Sequence, residues 1–163
     1  MKRKILALTL ILAAVSLTAW GAARVGYRAQ LSGAEVAPPV KTEATGGALF
    51  DFSPDVKSLH FTLSVKNLVD ITAAHIHLGA KGKEGPVVAT LYPLGGSPPV
   101  KAGKFSGNLA KGVVTAANLE GPLKGKPLSD LLQEIQSGNA YVKVHTKPHP
   151  GGELRGQIVR RPT

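Results

Sequence analysis

Leu59-His60-Phe61-Thr62-Leu63-Ser64-Val65-Lys66 alternates apolar and polar residues without a break. A period of two puts Leu59, Phe61, Leu63 and Val65 on one face, the pattern of a strand half-buried against a core. On a helix the same four residues would scatter around the surface. Working outward, the rhythm recurs at residues 27–31, 47–52, 71–78, 86–91 and 141–146. It recurs again at 153–160, and residues 105–119 read as one or two further strands. The 19 glycines and 12 prolines fall largely between these runs, as turns require. Residues 35–40 form a Pro-rich connection, Ser53-Pro54-Asp55 a turn, and residues 92–104 a Pro/Gly loop. One helix is expected, over residues 129–136. Ser129 is placed to cap it, Asp130 suits its positive end, Leu131, Leu132 and Ile135 make an apolar face, and Gly138 stops it. No repeat or second domain is visible. The expectation is an all-β domain, a Greek-key β-sandwich with one short helix.

The first 23 residues read differently. Lys2, Arg3 and Lys4 precede an almost wholly apolar run from Ile5 to Leu17, followed by small residues at Ala19, Gly21, Ala22 and Ala23. That is the pattern of a secretory signal peptide, with cleavage expected after Ala23 or Gly21. The run is short for a membrane span and is broken by Thr18 and Gly21, so no stable span is expected after cleavage. Residues 24–163 then form a single exported domain, periplasmic or extracellular. It has no cysteine, so neither disulfides nor thiolate metal sites are available.

The formal charge of +10 falls to +7 once Lys2, Arg3 and Lys4 are removed. A moderate positive field steers small anions. Nucleic acid is not an expected partner, because the chain has few aromatics, no Lys/Arg block after the leader and no nucleic-acid motif. Hydrolase signatures are missing too: there is no Gly-X-Ser-X-Gly elbow and no His-Glu-X-X-His helix.

Four of the five histidines sit in two clusters, His75-Ile76-His77 and His145 with His149. Strand geometry puts His75 and His77 on one face, opposite Ala74, Ile76 and Leu78. His145 falls on the face opposite Val142 and Val144. If the fold brings these strands together, His75, His77 and His145 can bind a metal through neutral imidazoles, with His149 as an optional fourth ligand. The other reading is that these rings tie loops to the sheet through backbone carbonyls. Spacing leaves both open. His60, on the polar face of its strand, reads as a surface residue.

Several ordered motifs resemble the CHRD family, the domain named after chordin. They are Leu31-Ser32-Gly33-Ala34-Glu35-Val36-Ala37-Pro38-Pro39-Val40, Ala73-Ala74-His75-Ile76-His77-Leu78-Gly79 with Gly85-Pro86-Val87-Val88, Gly138-Asn139-Ala140-Tyr141-Val142-Lys143-Val144-His145-Thr146, and Pro150-Gly151-Gly152-Glu153-Leu154-Arg155-Gly156-Gln157-Ile158. The resemblance implies an extracytoplasmic β-sandwich module, immunoglobulin-like or superoxide dismutase-like. A fainter resemblance is to copper/zinc superoxide dismutase, around residues 68–85 and 142–145. Carried over, it makes His75, His77 and His145 copper ligands.

The departures bear on chemistry. Val87 follows Gly85-Pro86 where that enzyme has its bridging histidine, and residues 79–144 contain no histidine. No zinc site is expected, and a catalytic role loses its proton donor. Arg155 is the nearest counterpart of the enzyme's anion-guiding arginine, but a structural ion pair with Glu153 on the same strand face is expected instead. An all-imidazole ligand set suits copper in either oxidation state. The expected function is therefore an exported copper-binding protein, in buffering or delivery, with another exported protein as a candidate partner. The alternatives are a copper-only superoxide dismutase-like enzyme and a metal-independent interaction module.

Overall fold

The computed structural model describes residues 26–93 and 101–162. The leader, and residues 94–100 of the expected Pro/Gly loop, lie outside the described residues. The described chain runs β1 (Gly26–Ser32), β2 (Thr45–Phe52), β3 (Leu59–Leu78), β4 (Val87–Tyr92), β5 (Lys101–Val114), α1 (Leu128–Gln136), β6 (Ala140–Thr146), β7 (Leu154–Gln157) and β8 (Val159–Arg160). Single turns of 3₁₀ helix follow β1 and β5. The all-β expectation holds.

The strands form one hydrogen-bonded sheet in the order β2-β1-β7-β6-β3-β4, and β2 also pairs with β3. That extra pairing closes the sheet on itself, barrel-fashion, with β4, β5 and β8 added at the margins. Closure removes exposed strand edges from the centre of the fold. The described chain contains no helix long and apolar enough to cross a membrane.

The alternation over residues 59–66 is the first part of a 20-residue element. Separate strands are expected at 59–66 and 71–78, but β3 continues unbroken from Leu59 to Leu78. The joint lies at Asn67 and Asp70, with φ of 59° and 51°. Asn and Asp tolerate this left-handed conformation better than most residues, because their short polar side chains bond locally. The ladder to β5 shifts register at both points. Buried positions therefore step from Leu63 and Val65 to Leu68, Ile71 and Ala74 before alternation resumes at Ile76. The bulges let one strand serve two neighbourhoods: its first half pairs with β2 and β5, its second with β6 and β4.

Three local expectations need correction. The 92–104 loop ends sooner than expected, because β5 already begins at Lys101. The helix begins one residue early, at Leu128, with Pro127 at its cap and no side-chain cap bond. Ser129 is thus inside the first turn rather than capping it. Leu128 is buried, and its packing draws the start back, while Pro127 has no backbone N–H to leave unsatisfied. The last run is two strands, because Ile158 turns inward between β7 and β8 and its N–H bonds to Ala140 O.

The core fills the closed sheet. Phe50, Leu59, Leu63, Leu68, Ile71, Ile76, Val142, Val144, Leu154 and Ile158 are fully buried, and Leu131 and Ile135 of α1 close one end. Strand β6 is buried on both faces. Val142 and Val144 point into the core, while Tyr141 and Lys143 are covered on the other side. That second, polar side is where the histidines gather.

A candidate metal centre of three histidines

The β3–β6 ladder sets the geometry. His77 pairs with Tyr141, His75 with Lys143, and Ala73 with His145. Cross-strand partners share a face, so His75, His77, Tyr141, Lys143 and His145 project together from the outer side of the sheet. Their neighbours Ala74, Ile76, Val142 and Val144 are the core residues on the other side.

Ring centroids are 5.8 Å apart for His75 and His77, 5.3 Å for His75 and His145, and 6.1 Å for His77 and His145. One ring nitrogen from each histidine lies within 4.8 Å of the others. Two nitrogens bound to one ion at ~2.0–2.1 Å stand no more than about 4.2 Å apart. The 4.8 Å limit lies close to that span, so the three rings form a group that could hold one ion. His149, the optional fourth ligand, is not in this group. Its backbone instead closes a turn with Thr146 and Gly152. His60 is exposed near Ser58, as expected.

The reading in which the rings tie loops to the sheet through backbone carbonyls is met by two of the three histidines. His77 Nδ1 donates to Gly85 O at 2.9 Å, and His145 Nδ1 donates to Pro150 O at 2.8 Å. A carbonyl can only accept, so each Nδ1 carries the hydrogen and each Nε2 keeps a bare lone pair. Those two Nε2 atoms, with His75 Nδ1, are buried and have no hydrogen-bond partner. Buried polar atoms without partners are uncommon and costly. Here three of them come from the same three rings that converge.

Electrostatics keeps the rings neutral. His75 is pushed down to about 4, first by burial and then by the neighbouring His145 and His77, with Glu120 opposing. Burial also lowers His77 and His145, and the charge of Lys143 adds to the effect on both. Neutral imidazole is the ligand form.

A second layer holds the first. The Tyr141 ring stacks on His77 at 5.0 Å and 13°. Its hydroxyl accepts from Gly85 N at 3.1 Å and donates to Glu84 at 3.2 Å. Arg155 lies over Tyr141 from the β7 side, 3.9 Å from the ring centroid. The expected Arg155–Glu153 pair does not form. Arg155 is fully buried and donates to Ala80 O, Lys83 O, Glu35 O and Gln157 Oε1. Glu153 instead accepts from the hydroxyls of Thr42 and Thr146. The two side chains share a face but serve different loops. Arg155 pins residues 79–86, the loop whose Gly85 carbonyl orients His77. A Cβ at Gly85 would collide with Leu78 O, so only glycine brings that carbonyl so close. Tyr141, Glu84 and Gly85 were not identified from sequence as parts of the site. The alternation that picked out His145 would also have found Tyr141 and Lys143 on its face.

Residues 27–158 match the family model described as the CHRD domain. The chain is 32% identical over 132 residues to chordin of Danio rerio, and 31% identical over 136 residues to chordin of Xenopus laevis. Each match covers 78% of this chain but only 12% of the chordin. The protein belongs to the CHRD domain family. It spans about an eighth of the length of those relatives.

Proposed function

We propose that this protein is an exported metal-binding CHRD domain that holds a copper ion through His75 Nδ1, His77 Nε2 and His145 Nε2, in copper buffering or delivery. The observation that carries the reading is the convergence of three buried, unpartnered imidazole nitrogens. The donor set has no thiolate or carboxylate in it. Such nitrogen-only sites favour copper, which heads the divalent affinity order and is also bound by imidazole as the cuprous ion. Hydrogen bonds from both Nδ1 atoms to backbone carbonyls fix ring orientation and make Nε2 the metal-facing atom, as outer-shell partners of metal-binding histidines do. Export rests on the leader-like pattern of residues 1–23.

Copper titration against a competing chelator tests the proposal. The wild-type protein is expected to bind one equivalent tightly. A His75→Ala/His77→Ala variant should lose more than the ~10–100-fold that removal of an outer-shell partner costs. Equal affinity in the two proteins would refute the site.

A further inference from the structure

One residue on the histidine face is of the wrong chemistry for a ligand. Lys143 is the cross-strand partner of His75 and lies between Tyr141 and His145 on β6. It is only 4% exposed. Lysine is rarely buried unless paired, and burying an ammonium carries a desolvation cost. Its position is nevertheless built into the fold. The stem lies against Gly152, where a Cβ would strike Lys143 Cδ, and Gly152 has a φ of 116°, a backbone state that favours glycine. The head forms an ion pair with Glu84 and lies 5.9 Å from the Tyr141 ring centroid. Glu84, 44% exposed, also accepts from the Tyr141 hydroxyl. A positive charge is thus held beside three neutral ligands, and its counter-charge sits on the loop that orients His77.

We infer that the Lys143–Glu84 pair sets the charge preference of the metal centre, with the Lys143 ammonium discriminating against divalent ions in favour of monovalent ones and Glu84 moderating that discrimination. This deepens the copper reading and rests on it. The physical basis is Coulomb's law. A fixed charge acts on a divalent ion with twice the energy it exerts on a monovalent ion at the same point, so any fold-change in affinity is squared. Lys143 and Glu84 are opposed charges paired on the face that carries the three imidazoles. Glu120, bonded to the Thr90 hydroxyl at 2.8 Å, stands at the β4 margin beside His75.

The test compares copper(II) affinity with air-free copper(I) affinity, each by chelator competition, in the wild type and three variants. Glu84→Gln changes a half-exposed side chain and leaves the ammonium unbalanced. It should weaken copper(II) by about tenfold and copper(I) by about threefold. Lys143→Leu keeps an apolar side chain there and removes the charge without adding a donor atom, so both affinities should rise, again more for copper(II). Lys143→Arg should leave the ratio of the two unchanged. A structural role would move both ions equally and in the same direction in all variants. Equal shifts for the two ions, or shifts of one sign in Glu84→Gln and Lys143→Leu, would overturn the inference while leaving the copper site standing. Failure of the wild type to bind either ion would remove both.

Discussion

At the residue scale, the centre rests on which nitrogen of each imidazole is left bare. Gly85 O and Pro150 O take the Nδ1 hydrogens of His77 and His145, which leaves each Nε2, like His75 Nδ1, buried without a hydrogen-bond partner in rings close enough together to hold a metal. The cost of this arrangement falls on the metal-free protein. All three imidazoles have folded values below the ordinary one, with His75 at about 4. The unfolded chain therefore binds protons that the folded chain refuses. Stability is full above the ordinary histidine value near 6.5 and declines as pH falls from there toward about 4. Urea unfolding of metal-free protein at pH 7.5 and pH 4.5 should show the loss, and a His75→Gln variant should show a shallower one. A pH-independent midpoint would mean that the rings are not buried neutral.

At the scale of elements, the centre depends on how β3 passes from one set of partners to another. Its first half was legible from alternation, and so was the pairing of His75 with His77 on one face. The continuity was not, because Asn67 and Asp70 carry the same signal as a turn. Whether such residues end a strand or bulge it depends on neighbours supplied by β5 and β6, which are distant in sequence. Their conformation gives a check. Asn67, at φ 59°, should accept Gly with little change in stability, while Asn67→Val should cost about 1–2 kcal/mol in chemical denaturation. Equal stability in the two variants would place the bulge elsewhere. The helix was legible except for its first residue, because burial of Leu128 outweighed the capping preference of Ser129. Arg155 was misread for a related reason. Strand parity put it beside Glu153, but parity says nothing about loop 79–86 folding back to offer carbonyls.

At the scale of the whole molecule, β1 and β2 share no residue with the three-histidine cluster but close the sheet that β6 completes. Closure leaves β6 covered on both sides, by the apolar core beneath and by the Tyr141, Lys143 and Arg155 layer above. The same layer shelters the histidines and limits their approach to solvent. A ligand bound only by this folded arrangement must stabilise it, by about 2.7 kcal/mol at a hundredfold excess over Kd. The family match runs from Tyr27 in β1 through Ile158 and so takes in every element but β8.

Electron paramagnetic resonance of the protein loaded with one equivalent of copper(II) counts the imidazoles bound to the ion. Nitrogen hyperfine structure from three imidazoles is expected, reduced to two in His145→Ala and unchanged in His149→Ala. A spectrum that His145→Ala leaves unaltered would contradict the three-histidine site.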